Sequence, residues 1–310
     1  MKKFFVMAMA AALLCGCEKD LISDTANDDG DVESVVTQKM KKFTFTVKGD
    51  FGSLTFSGPD ADATGVVDES TRGYLQADGK DMTDLWVFDF IGDQCVNSIH
   101  QSDNTAEDFG RPVMNLALGS HHIYFVASRG DTPTLNTETN TITWGTIRDT
   151  FYKDYEVTVA NTSNGNRAVT LDRVATKLKL TVDDEVPTDC ALILVTPDTR
   201  YNGLNYRTGA PVEMLLTSTT QEIAVPSSYI GTTGGLVLSI FSLSSFAEWT
   251  TGVSIVAKDG NNSVIGSAVI DDVPLKANRA TEYHGNLFVS GGTMSTSLNS
   301  EWLTAVTGVW

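Results

Sequence analysis

The stretch Lys42-Phe43-Thr44-Phe45-Thr46-Val47-Lys48 alternates apolar and polar residues without a fault. A period of two puts Phe43, Phe45 and Val47 on one face of an extended chain and Thr44, Thr46 and Lys48 on the other, the pattern of a half-buried strand. Residues 85–88, Leu-Trp-Val-Phe, are apolar on both faces until Asp89 and predict a strand covered on two sides. Short runs of the same kind follow at 113–118, 122–127, 141–144 and 155–159. A second series occupies 168–171, 175–182, 191–195, 214–216, 222–225, 236–243, 253–257, 263–270 and 283–289. Asp259-Gly260 between two apolar runs predicts a hairpin. Long helical periodicity is almost absent, and residues 144–155 supply the one candidate for a short helix. Many short strands at this spacing predict an all-β chain of sandwiches. No self-similarity recurs at a 20–50-residue period, which disfavours solenoids and propellers. The two strand series predict two domains, residues 39–167 and 168–310, joined near 161–168.

The first 38 residues read differently. Lys2 and Lys3 precede 11 uncharged residues, Phe4 to Leu14. A bilayer-spanning helix needs about 20 apolar residues, so this is a secretory signal rather than a permanent anchor. It ends Leu14-Cys15-Gly16-Cys17. An aliphatic residue three positions before a cysteine, with a small residue directly before it, resembles the lipobox of bacterial lipoproteins. The resemblance implies removal of residues 1–16, a diacylglyceryl group on the Cys17 sulfur and acylation of the new amino end. Two acyl chains on one sulfur-linked group hold a protein stably where one does not. Residues 17–38 then form a tether, with seven acidic residues and one lysine in 18–33. Such a stretch repels itself and cannot pack.

The net charge of −17 argues against a nucleic-acid partner and against adhesion to anionic lipid by charge. Membrane attachment therefore falls to Cys17. Cys95 and Cys190 lie far apart, and two buried thiols are expected rather than a disulfide framework. Searches for chemistry fail in turn. Gly73 to Lys80 has one residue too many for a phosphate loop, and Asp81 replaces the required hydroxyl. Thr25 stands where the first ligand of a calcium loop around Gly30 would belong. The histidines are His100, His121, His122 and His284. His121 and His122, adjacent on a strand, point to opposite faces and do not chelate one ion together. Asp183-Asp184 and Asp271-Asp272 read as solvated turns. No catalytic set, metal site or cofactor is expected.

Several segments together carry a family likeness: the lipobox at Cys17, the strand of Phe43, Phe45 and Val47, and Ser70-Thr71-Arg72. To these add residues 85–89, the stretch Leu171-Asp172-Arg173-Val174-Ala175-Thr176-Lys177-Leu178, Asn278-Arg279 followed by Tyr283, and a tail bearing tryptophan. The set resembles the fimbrillins of type V pili, most closely the fimbrial anchor branch. The resemblance implies two tandem transthyretin-like, Greek-key β-sandwich domains and assembly by strand exchange with other pilin subunits. It implies no enzyme activity. A sandwich missing an edge strand exposes a groove and unpaired backbone groups that another chain can fill. In such a family the first strand is cut away at an arginine in the next loop, and a neighbour's C-terminal strand refills the groove. Mapped here, the strand of Phe43, Phe45 and Val47 is the exchanged strand and Arg72 the cleavage site. In an anchor, cutting at Arg72 would separate the lipid on Cys17 from the rest, so the first groove stays closed. The tail, residues 290–310, would donate Trp302, Val306 and Trp310 from one face, or pack back as a last strand.

The expected function is a structural lipoprotein on the outer face of the outer membrane, the basal anchor of a fimbria that supports adhesion. The alternatives are a stalk or tip subunit processed after Arg72, and a glycan-binding surface lipoprotein. The last would use Trp144, Trp249 and residues 201–206, Tyr-Asn-Gly-Leu-Asn-Tyr, as aromatic platforms.

Overall fold

The computed structural model describes residues 39–49, 82–129, 133–213, 219–289 and 294–297. The first half contains β1 (Met40–Gly49), β2 (Asp84–Ile91), β3 (Gln94–Gln101), β4 (Val113–Ala117), β5 (Gly119–Ser128), β6 (Thr134–Asn136), β7 (Thr141–Thr143), β8 (Thr150–Val159) and β9 (Asn166–Arg173). Seven of these pair in the order β3-β2-β5-β8-β9-β1-β4. Between β8 and β9 only Phe151↔Arg173 and Tyr152↔Asp172 pair. The sheet folds over at that corner, so β4-β1-β9 lies on β3-β2-β5-β8. Phe43, Phe45 and Val47 of β1 fill the space between, against Leu85 and Val87 of β2 and Phe125 of β5.

The second half contains β10 (Ala175–Val182), β11 (Cys190–Pro197), β12 (Tyr201–Asn205), β13 (Pro211–Glu213), β14 (Gln221–Ala224), β15 (Leu236–Leu243), β16 (Trp249–Asp259), β17 (Val264–Leu275), β18 (Ala280–Gly285) and β19 (Met294–Ser297). Its two main sheets run β15-β10-β18-β19 and β14-β11-β16-β17. They enclose a second core that includes Leu180, Ile193, Leu238, Ile255 and Ile270. The pairing diagram repeats that of the first half. β1 is antiparallel to β4 and parallel to β9; β10 is antiparallel to β15 and parallel to β18. Likewise β14-β11-β16-β17 matches β3-β2-β5-β8 strand for strand. Apart from one 3-10 turn, the regular structure among the described residues is all β, as the alternation predicts.

Three local expectations are corrected. Residues 144–155 form no helix: Thr150–Val159 is β8, and among the described residues the helical structure is a single 3-10 turn, Ser227–Tyr229. Trp144, Ile147 and Phe151 have helix-like spacing, but the first two enter one cluster and Phe151 another. The β16–β17 hairpin forms, but its left-handed residue is Asn262 at φ 67°, not Gly260. The Asp259 carboxylate accepts from the backbone N–H groups of Asn261 and Ser263 and fixes this longer turn. Finally, residues 166–173 pair with β1 and β8, so they lie with the first half.

The halves are stitched, not strung. Val174 alone separates β9 from β10. Its N–H donates to the Thr150 carbonyl, and its own carbonyl accepts from Ser244 N–H, both at 2.9 Å. The extra strands on each side, β6–β7 and β12–β13, meet in a small sheet through β7 and β12. A third apolar cluster, with Phe88, Tyr124, Ile142, Trp144, Leu204 and Tyr206, fills the join. Arg173 is 1% exposed there. Its guanidinium pairs with Asp149 at 2.8 Å, donates to Asn278 at 3.2 Å and lies over the Phe151 ring. Removing one partner of a buried pair costs about 3–5 kcal/mol. Arg173→Leu is expected to lower unfolding stability by about that amount in urea titrations; a loss below about 1 kcal/mol, typical of exposed ion pairs, would contradict this account of the join.

Candidate assembly surface

The strand singled out by sequence is seated in its own half. Phe43, Phe45 and Val47 are wholly buried. Phe45 meets Phe125 edge-on at 5.4 Å and Tyr155 at 6.2 Å, and the Arg167 guanidinium covers Phe43. Burying three such side chains contributes roughly 5–9 kcal/mol. β1 is not an edge strand, which corrects the expectation. It lies between β4 and β9, and its main chain is held on both sides. Phe45 N–H also donates to Pro112 O at 3.0 Å and Val47 N–H to Gly110 O at 2.9 Å. Gly165 allows the close approach beyond β1, since a Cβ there would lie 2.2 Å from the Lys42 carbonyl. Taking β1 away would therefore leave a slot with unpaired backbone on two walls, not a simple exposed edge.

The repeat of the pairing diagram makes a comparison available. β10 holds in the second half the place that β1 holds in the first. Residues 183–189 connect β10 to β11, whereas residues 50–83 connect β1 to β2. β1 is thus the strand with the longer stretch of sequence before its successor. Arg72 falls in that connection, outside the described residues, as do Cys17, Trp302, Val306 and Trp310.

At the far end the chain packs back for a short distance. β19 pairs antiparallel with β18, Gly285 opposite Met294 and Glu282 opposite Ser297. The root of this tail is gripped. The Asp184 carboxylate accepts from the backbone N–H groups of Leu287, Phe288 and Val289, at 2.7–3.0 Å. On the other side Gly266 leaves room for it, since a Cβ there would lie 2.6 Å from the Leu287 carbonyl. Asp184 is therefore a clamp and not a free turn residue. Asp184→Ala is expected to speed amide hydrogen exchange at Leu287, Phe288 and Val289 while leaving β10 and β16 protected. Unchanged exchange at these three amides would refute the clamp.

The titratable groups form separate pairs. His121 is buried; its Nδ1 meets Asp89 Oδ1 at 2.7 Å and its Nε2 meets the Ala117 carbonyl at 3.0 Å. The carbonyl only accepts, so Nε2 carries a hydrogen, and neither nitrogen is left to act on a substrate. Burial pushes the Asp89 carboxyl above its ordinary 3.8, against the opposing pull of His121. His100 pairs with Asp84 at 2.8 Å and stacks on Trp86. His284 pairs with Asp183 at 2.8 Å. His122 points to the opposite face from His121, as their adjacency predicts, and meets Asp154 at 3.2 Å. Cys190 is buried and its thiol is raised by burial, but Cys95 is exposed, contrary to expectation. It lies in β3, whose polar sequence leaves much of it in water.

A carboxyl with a raised folded pKa favours folding while protonated. Its contribution is full below the unfolded value of 3.8 and is lost as pH rises through the raised value. The stability of the wild type relative to Asp89→Asn is therefore expected to fall as pH increases from about 4 toward neutrality. Urea titrations at several pH values read the difference, and a flat or rising difference would count against a raised Asp89.

The residues considered for a glycan platform are largely consumed by the join. Trp144 and Tyr206 are 2% and 1% exposed. Trp144 Nε1 donates to Ser128 Oγ, and Asn202 Nδ2 donates to the Trp144 carbonyl. Tyr206 stacks on Phe88 at 4.1 Å. Trp249 is half-buried against Tyr201 and donates to Ser244 Oγ.

No protein-family model matches this sequence, and no curated protein matches it. Solved structures do resemble it. A candidate adhesin from Bacteroides ovatus is 10% identical with a TM-score of 0.48, over 87% of this chain and 96% of that one. A candidate adhesin from Bacteroides thetaiotaomicron is 7% identical with a TM-score of 0.48, over 86% and 98%. A candidate cell adhesion protein from Bacteroides ovatus is 12% identical with a TM-score of 0.47, over 86% and 99%.

Proposed function

We propose that this chain is a structural subunit of a cell-surface fimbria: two transthyretin-like sandwiches in tandem, tethered to the outer membrane by lipid on Cys17. It supports adhesion by holding the filament to the cell and performs no chemistry on a substrate. The observation that carries the reading is the contrast between β1 and β10. Two strands hold equivalent places, yet the connection of one spans residues 50–83 and that of the other residues 183–189. A long connection is what a separable strand requires, and the slot such a strand would leave is what a donated strand recognises; in this chain β1 fills it.

The basal position follows from keeping β1 in place. An uncut chain runs from Cys17 through β1 into the first half, so the membrane tether and the folded body remain one molecule. The first slot is then filled by its own strand, and growth proceeds from the other end. The neighbouring pilin engages through the stretch that follows β19, residues 298–310, with Trp302, Val306 and Trp310 as its contacts. Two aromatic side chains on one face would bury about 150–250 Å² each.

The amino end of the protein taken from cells tests this directly. A diacylated Cys17 with intact residues 50–83 is expected. Mass spectrometry that finds Gly73 as the first residue would make the chain a processed stalk or tip subunit instead. Cys17→Ser is expected to release filaments into the medium. Filaments of normal length still held on Cys17→Ser cells would overturn the anchor assignment.

A further inference from the structure

On the outer face of the first half, β5 and β8 pair in a register that sets His122 opposite Glu156 and Tyr124 opposite Asp154. Residues 154 and 156 are two apart on one strand, so both carboxylates share a face with the imidazole. His122 Nδ1 lies 3.2 Å from Asp154 Oδ1 and 3.9 Å from Glu156 Oε1. One donor atom from each of the three residues lies within 4.8 Å of the others. Zinc held by nitrogen and carboxylate oxygen at about 2.0–2.2 Å in tetrahedral geometry keeps its ligands about 3.4 Å apart. The two histidine distances bracket that edge. The third edge, between the two carboxylates, is no longer than 4.8 Å.

The charge is also unbalanced. Two carboxylates face one imidazole, and among the described residues no lysine or arginine pairs with either. Lys153, next in sequence to Asp154, is directed to Asp172 instead. The negative charge left over is what a divalent cation would neutralise. The other histidine pairs bring one carboxylate each, and among the described residues no other such trio occurs. Side-chain exposures of 41%, 40% and 76% leave the site open to water.

We propose that His122, Asp154 and Glu156 form a binding site for a divalent transition metal of the zinc type. Three protein ligands leave a fourth position for water or for an external donor. The imidazole selects zinc over calcium, which prefers oxygen ligands alone. Bound metal would clip β5 to β8 near the join, without touching the slot of β1 or the root of the tail.

Calorimetric titration of the metal-stripped mature protein with zinc chloride tests the site, with calcium chloride as the second probe. One saturable zinc site is expected, with calcium failing to compete at equal concentration. His122→Ala and Glu156→Gln sit on the exposed face, and their melting temperatures check that they fold. Zinc affinity is expected to fall at least about 100-fold in His122→Ala, the upper end of what loss of a supporting contact costs. Glu156→Gln is expected to lose about 10-fold or more. Zinc binding of equal strength in His122→Ala, equal calcium affinity, or no saturable binding would each overturn the proposal.

Discussion

One buried cation fixes how the two halves meet. Arg173 ends β9 with its guanidinium almost wholly removed from water, and its partners come from both sides. Asp149 precedes β8 in the first half, and Asn278 precedes β18 in the second. A guanidinium in such a place must be paired, because an isolated buried charge is far too costly. Its rigid, planar fork also accepts only a narrow range of partner positions. Asn278 adopts a left-handed φ of 57°, a conformation asparagine tolerates better than most residues. The single residue Val174 then leaves no slack for rotation. The apolar cluster around Trp144 and Tyr206 fills the join. Arg173 supplies its register.

What the sequence made legible depended on how each segment meets water. β10 and β15 were bounded to the residue by their apolar alternation, 175–182 and 236–243, because each has one face in a core and one outside. β3 was invisible. Gln94-Cys95-Val96-Asn97-Ser98-Ile99-His100-Gln101 is an outer strand with much of both faces exposed, so no periodicity is imposed on it. Asp89 looked like the end of an apolar strand, yet it is buried, because His121 on the next strand meets it. Pairing across strands is set by register, which periodicity within one strand does not contain. The trio of His122, Asp154 and Glu156 escaped notice for the same reason. Adjacency along the strand separates His121 from His122, whereas only register across strands brings His122 to Asp154 and Glu156.

The insertions explain why an apparently regular pair of sandwiches forms one body. The first half carries β6 and β7 between β5 and β8; the second carries β12 and β13 between β11 and β14. Neither insertion belongs to the repeated pairing diagram. They find each other instead, and β7 with β12 is the hydrogen-bonded seam. The aromatic and amide residues at 201–206 looked like binding residues because their side chains are large and amphipathic. Those same properties suit an interior seam, where Asn202 satisfies the Trp144 carbonyl and Tyr206 reaches Asn140. The chemistry of a residue type was readable, while its direction was not.

The parallel partnership of β1 with β9, and of β10 with β18, has a mechanical meaning. The chain enters the first half at the start of β1 and leaves it at the end of β9. Tension along the chain pulls these two parallel neighbours past each other lengthwise, so their rungs share the load at once rather than peeling singly. In the second half β19 turns back antiparallel along β18, so a pull beyond Ser297 acts from the end where β10 begins and loads the β18–β19 rungs one after another. With only Val174 between the halves, there is no elastic spacer to stretch first. The first half is thus arranged as a shear joint, the geometry that best withstands a steady lengthwise pull, while the second yields first at its last strand.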